Sequence, residues 1–174
     1  NNSSKANFNQ HLGWLLEKLE VGQGSISEYV LVDVTRFVLL CTGSRPHVPD
    51  IEGLDPLRCL TSEQLFHLHA PPATMAIIGG GPMGVEMAQA LQRLGVDVTI
   101  FQRARTLLPA EEPTLVERLT DVLAEEGVIV HCSADVRSLR HGEDGTIPVV
   151  ATVGDGGEEV ELTVGGVLLA AGRV

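Results

Sequence analysis

The chain has 174 residues, 44% of them apolar but only 3% aromatic, and a formal net charge of −11. That length accommodates one domain and part of another, with a core that Ile, Leu, Val and Ala must fill. The acidic balance and the lack of a basic run argue against a nucleic-acid partner, and no run of about 18 apolar residues is present to span a membrane.

In chain order, Asn1 to Asn9 read as a loose polar end. Leu12, Leu15, Leu16 and Leu19 fall at helical spacing, so one short amphipathic helix is expected there, stopped by Gly22 and Gly24. Glu28 to Asp33 and Arg36 to Cys41 read as two short strands. Pro46, Pro49 and Pro56 mark an irregular connector. Thr61-Ser62-Glu63 is placed to cap a short helix running to about His67, and Pro71-Pro72 is a hinge. His67 and His69 stand two apart beside that hinge, which favours solvent-facing side chains over a metal site. The three cysteines, Cys41, Cys59 and Cys132, form no CxxC and no metal spacing. With no basic–apolar leader at the start, they are expected to be free thiols of a cytoplasmic protein.

Met75 to Pro109 is the informative stretch. An apolar strand runs into Gly79-Gly80-Gly81-Pro82-Met83-Gly84, which opens a helix expected to end near Leu94, with Gly95 at its C′ position. A second β-branched strand ends at Phe101. This is a β-α-β unit with a G-x-G-x-x-G triplet at its first turn. In that pattern Gly79 permits the tight turn, Gly81 lets the backbone approach a pyrophosphate, and Gly84 lets the helix lie close to the strand. Gly80, Pro82 and Met83 line the same loop by position, and the helix start offers unpaired N–H groups to an anion. Met87, Leu91 and Leu94 are expected on the buried face of that helix.

A further helix is expected after Glu111-Glu112-Pro113, with Leu115, Leu119, Val122 and Leu123 on its apolar stripe and Gly127 at its end. Val128 to His131 reads as a third parallel strand. Val136 to Arg140, Ile147 to Val153 and Val160 to Val164 read as an antiparallel meander, and Val167 to Ala171 as a last buried strand. Asp144, Asp155, Glu158 and Glu159 form a solvated rim on its turns. Val38 to Gly43 and Val167 to Gly172 echo one another, each an apolar strand ending in a glycine turn.

The residue that reads the adenine ribose in such units lies about 20 residues past the glycines, where NAD enzymes place Asp or Glu. Here the position holds Gln102, followed by Arg103 and Arg105. Two arginines suit a 2′-phosphate, so NADPH is favoured over NADH. The competing reading pairs Arg103 and Arg105 with Glu111 or Glu112, and Gln102 also suits a plain ribose, which leaves dual use open.

Taken together, Leu40-Cys41-Thr42-Gly43-Ser44-Arg45-Pro46, Pro49-x-Ile51-x-Gly53-Leu54, Thr61-Ser62-Glu63, Ile77 to Ala88, Leu94-Gly95-x-x-Val98-Thr99, Leu107-Leu108-Pro109 and Ala170-Ala171-Gly172-Arg173 resemble the FAD-dependent pyridine nucleotide–disulfide oxidoreductases. Phe101 to Arg105 is most similar to the mercuric-reductase-like branch. The resemblance implies an α/β fold: a Rossmann-like dinucleotide-binding domain with a parallel sheet and a β-meander, plus a remnant of an FAD-binding domain. It implies a partial FAD-domain segment and connector over 1–60, a linker helix and hinge over 61–72, and the NAD(P)-binding domain over 73–174. The family's FAD fingerprint, its redox-active cysteine pair and its dimerisation domain have no match here. The chain therefore reads as a middle segment that binds a nicotinamide dinucleotide, holds no FAD itself and has no catalytic residue of its own, from a homodimeric FAD-containing parent.

By the same resemblance, Glu86 matches a glutamate near the nicotinamide that pairs with a lysine beside the flavin; its plain reading is a first-turn acid on the helix dipole. Val136 matches a position whose backbone contacts the cofactor, and Gly172 a glycine near the nicotinamide end. Family members often carry an aromatic gate where this chain has Pro82 and Met83, so no gate is expected. Cys41 replaces a more usual alanine and reads as a small core residue. Residues before Thr61 are expected to be poorly buried. Two alternatives stand beside this reading: a non-catalytic nucleotide-binding redox sensor, or a flavin reductase lacking the cysteine pair.

Overall fold

A computed structural model describes residues 42–56, 58–142 and 144–174, and the backbone of 31–34 and 37–40. The expected loose end, the helix near Leu15 and the burial of Cys41 lie outside the described residues. The chain divides into two compact units, Asn1–Ser44 and Arg45–Val174. In the first, β1 (Leu31–Val34) and β2 (Phe37–Leu40) form an antiparallel hairpin with Leu31 opposite Leu40.

The second unit is built on a four-stranded parallel sheet. Its strands are β3 (Thr74–Ile78), β4 (Asp97–Phe101), β5 (Ile129–His131) and β9 (Gly166–Leu169), in the spatial order β5-β4-β3-β9. Parallel strands covered on both faces read as continuous apolar runs, and β3, β4 and β9 are buried almost throughout. Alternation decides which face each side chain serves. Met75, Ile77, Val98, Ile100 and Leu168 point into one core with the helices, whereas Ala76, Ile78, Val167 and Leu169 point into a second core with the meander. That meander is β6 (Ala134–Leu139), β7 (Ile147–Val153) and β8 (Glu158–Val164), antiparallel, with a bulge between Val136 and Ser138.

Two helices cover the other face. α2 (Pro82–Arg93) starts with Gly81 as N-cap and Pro82 at its first position, where the missing N–H costs least. α3 (Pro113–Glu125) starts with the Glu112 carboxylate accepting from the Leu115 N–H at 3.0 Å. Both end in the same way. Gly95 and Gly127 take φ of +88° and +96°, and the next N–H (Val96, Val128) returns to the carbonyl of Leu91 or Leu123. All four of those flanking side chains are buried, which closes each helix end with an apolar contact. The glutamate beyond α3 then ties the helices together: Arg93 donates to Glu126 through Nε at 2.9 Å, and Gln89 Nε2 through a 3.1 Å bond.

Several side chains depart from the periodic reading. The buried face of α2 is Gly84, Val85, Ala88 and Leu91, while Leu94 is 73% exposed because it already belongs to the turn that reverses into β4. On α3 the inward residues are Val116 and Leu123, and Leu115 points outward at the first turn. Glu86 is the fifth residue of α2, so it lies beyond the first turn and its dipole role falls away.

Among the described residues of the connector 45–60 most side chains are exposed, in line with the poor burial expected before Thr61, and only Cys59 is buried; its backbone nevertheless pairs within the second unit. Leu60 exchanges backbone bonds with the outer edge of β9, donating to Val167 and accepting from Leu169, both at 2.8 Å. Glu52 pairs with Arg137 and Leu139 of β6, and Cys59 is buried. The connector thus covers an edge that would otherwise present unpaired strand groups. It leads into α1 (Ser62–Leu65), where the Thr61 N–H donates to Gln64 Oε1 at 2.9 Å and Leu65 is buried.

Candidate functional site

β3 is flanked by β4 on one side and β9 on the other, so the chain's direction of winding reverses at β3. Ligands of open α/β sheets bind at such a switch point, beyond the carboxyl ends of the strands. A cleft of about 790 Å³ lies there. Its floor is the turn after β3, one wall is the turn after β4 with the start of β6, and the other is the turn after β9 with residues 46–51 of the connector.

The glycines of the floor differ in what requires them. Gly79 has φ of +113°, and a Cβ there would collide with the Ala170 carbonyl. A Cβ on Gly84 would collide with the Gly79 carbonyl, so helix and strand turn pack too closely for a side chain. A Cβ on Gly80 would meet the Leu107 side chain and Gln102. Gly81 alone among them faces open space: no atom lies within 4 Å of a Cβ placed there, and its own φ of −78° is available to any residue. It is a cradle that a side chain would fill. The backbone N–H groups of Gly79 and Gly80 are already used, by the Phe101 carbonyl at 2.9 Å and Gln102 Oε1 at 3.0 Å. The donors of the first helical turn are not satisfied within the helix. An anion in the cleft would therefore be met by the N–H groups of Gly81 and Met83 and the positive end of α2.

The wall after β4 is held firmly. The Gln102 N–H donates to the His131 carbonyl at 2.8 Å, and its own carbonyl accepts from Ala134 at 2.9 Å. The Ser133 N–H donates to the Ala104 carbonyl at 2.8 Å, which brings the start of β6 against the turn. Phe101 stacks on His131 with ring centroids 5.3 Å apart. On this frame Arg103 and Arg105 are exposed, and neither makes an ion pair with a described residue; the pairing with Glu111 or Glu112 does not form. Two other charges at the cleft are paired, Asp135 with Arg137 at 3.0 Å and Arg173 with Glu63 at 3.9 Å, and Asp50 adds a further carboxylate to the lining.

Of the twelve residues singled out from sequence, the structure brings Gly79, Gly80, Gly81, Pro82, Met83, Gln102, Arg103, Val136 and Gly172 to this one cleft. Gly84 lies beneath it, and Glu86 and Arg105 stand outside its lining. Glu86 is exposed and makes no hydrogen bond or ion pair with a described residue. Sequence reasoning missed Asp135, His47, Asp50 and Arg173. The prolines at 46 and 49 did signal an irregular segment there, but only its backbone bonds to the last turn (His47 N–H to the Gly172 carbonyl, 2.9 Å) show where it runs.

Neither described cysteine lines the cleft. Burial, with Asp55 nearby, pushes the Cys59 thiol up, and burial also raises that of Cys132, so both are poor nucleophiles. Among the described residues no group of three or more His, Cys, Asp or Glu side chains is placed to hold a metal ion. No helix among them is long and apolar enough to cross a membrane.

Residues 10–174 match the family model described as pyridine nucleotide-disulphide oxidoreductase. The chain is 37% identical over 135 residues to a mercuric reductase of Streptomyces lividans, covering 78% of this chain and 28% of that protein. It is 33% identical over 162 residues to a dihydrolipoyl dehydrogenase of Halobacterium salinarum, covering 90% of this chain and 33% of that one. The chain thus spans about a third or less of the length of these relatives. Among solved structures, the HOCl-induced flavoprotein disulfide reductase RclA from Escherichia coli superposes with a TM-score of 0.65 at 28% identity, over 84% of this chain and 33% of that one.

Proposed function

Because the chain belongs to the pyridine nucleotide-disulphide oxidoreductase family, we propose that its second unit binds a nicotinamide dinucleotide and orients it for hydride transfer to a flavin. The observation that carries this reading is the open cradle at Gly81, set between the start of α2 and the unpaired Arg103. A pyrophosphate fits that space and finds backbone donors there. Val136 and the turn at Gly172 offer the two remaining walls, one toward each end of an extended dinucleotide.

When bound, the dinucleotide supplies the hydride; the protein's part is to bind and orient it and to keep its charge paired. The Gly81 and Met83 N–H groups hold the pyrophosphate. Arg103, with Arg105 close by in sequence, favours a 2′-phosphate, and hence NADPH over NADH. FAD belongs to the same reading through family membership alone, as do a homodimeric parent and a cytoplasmic location; we assign none of the described residues to FAD.

Titration calorimetry with NADPH and NADH tests this. The expected result is one site per chain with NADPH at least tenfold tighter, since a single charge-assisted bond contributes about 1.5–3 kcal/mol. Equal or tighter binding of NADH would remove the role given to Arg103. Absence of binding by either would remove the site.

A further inference from the structure

Gln102 holds the position from which a ribose would be read, yet its side chain is committed elsewhere. It is only 8% exposed. Its Oε1 accepts from the Gly80 N–H at 3.0 Å, and its Nε2 donates to the Thr106 carbonyl at 3.1 Å. Only one orientation of the amide satisfies both partners, because the first needs an acceptor and the second a donor. The Gly80 carbonyl in turn accepts from the Leu108 N–H at 2.9 Å. Gly80 is therefore fastened on both of its peptide groups to the segment 102–108, which carries Arg103 and Arg105. The crowding at Gly80 by Leu107 and Gln102 completes the contact.

We propose that Gln102 is a positioning residue that locks the glycine turn to the arginine-bearing turn, and that it does not read the ribose. Turning the amide toward a ribose would break both bonds, the one from the Gly80 N–H and the one to the Thr106 carbonyl, two given up for the one gained. The inference rests on the dinucleotide reading of the cleft. It assigns specificity for the 2′ position to the arginines, and to Gln102 the shared task of holding the pyrophosphate donors and those arginines at a fixed separation.

The test uses Gln102→Leu and Gln102→Glu with NADP⁺ and NAD⁺ as probes. Gln102→Leu should weaken both by a similar factor, roughly tenfold, the equivalent of one net hydrogen bond. The ratio between the two cofactors should stay within about twofold. In Gln102→Glu at neutral pH, a carboxylate would face the Thr106 carbonyl with no proton to donate, and both cofactors should bind more weakly. On acidification from about pH 7.5 to about 4, below the ordinary glutamate range, the carboxyl takes up a proton and becomes a donor–acceptor group like the amide, so both affinities should recover. A ribose reader predicts the opposite sign: NAD⁺ affinity of Gln102→Glu would rise at neutral pH and fall on acidification. That result, or a change confined to one cofactor, overturns the proposal.

Amide hydrogen exchange without ligand separates this from the dinucleotide reading itself. The Gly80 N–H should exchange at least about tenfold faster in Gln102→Leu. The Val98 N–H, bonded to Gln92 at 3.0 Å, should be unchanged. Unchanged exchange at Gly80 refutes the lock whatever the cofactors do. Faster exchange at Gly80 with no dinucleotide bound by the native chain would refute the ligand reading and leave the lock standing.

Discussion

Replacing Gly81 by valine separates binding from folding more cleanly than any other change in the glycine turn. Gly81 is the N-cap of α2 with φ of −78° and ψ of −177°, a conformation that valine adopts without strain. No atom lies within 4 Å of its Cβ position. Two small effects on stability oppose one another. Valine is a poorer N-cap than glycine, by about 1 kcal/mol, whereas losing glycine's freedom in the unfolded chain stabilises by about 0.4–1 kcal/mol. The net change should stay within about 1 kcal/mol, or roughly 2–4 °C in Tm for a domain of this size. The methyl groups, however, occupy the space through which a pyrophosphate reaches the Gly81 and Met83 N–H groups. Two charge-assisted bonds of about 1.5–3 kcal/mol each would be lost, which lowers affinity by about 10²–10⁴-fold. Calorimetric titration with NADPH, paired with thermal unfolding, reads both quantities. Gly84→Val is the control: its Cβ would collide with the Gly79 carbonyl, so that variant should lose stability. A folded Gly81→Val chain that binds NADPH within twofold of the native one would refute the phosphate assignment.

Arg103→Ala should weaken NADPH by about 10–100-fold and NADH by less than about threefold, because only the 2′-phosphate is withdrawn from the guanidinium; matched calorimetric titrations show the difference. Leu123→Ala, at a fully buried position that also closes the end of α3, should cost about 2–5 kcal/mol in denaturant unfolding. The Thr146 hydroxyl and N–H hold the Asp144 carboxyl below its ordinary range. Its contribution is thus present above the unfolded-state value and lost as pH falls through the lower folded one, so Asp144→Asn should flatten the acid side of the stability profile. The raised Cys59 thiol has the opposite sign: the folded chain keeps its proton, stability declines as pH rises past the unfolded thiol's value, and labelling by a thiol reagent at pH 8 should be slow until denaturant is added.

Local chemistry made much of this structure legible in sequence. The two helices start at Pro82 and Pro113 and end at Gly95 and Gly127, each for a backbone reason visible in the residue type. The apolar runs of β3, β4, β7 and β9 lie where their apolar character put them. Periodicity failed at the helix ends. Leu94 and Leu115 fit an apolar stripe by spacing, but a residue in a closing turn or an opening one no longer faces the sheet. The connector was illegible for a different reason. Leu60 and Glu52 bond through their backbones to strands about a hundred residues away or nearly so, and no side chain at either position announces it. Gln102 shows the same limit at the site itself. Position pointed to a ribose, whereas the partners of its amide, Gly80 and Thr106, are fixed by how two turns meet in space.

An amide-resolved NMR titration of the chain with NADPH tests the central claim most directly. The account predicts saturable shifts at Gly81, Met83, Arg103, Val136 and Gly172, residues that the sequence scatters and the fold gathers at one cleft. It predicts none at the far hairpin turn around Gly145. Shifts centred away from the glycine turn, or no shift at millimolar NADPH, would contradict it.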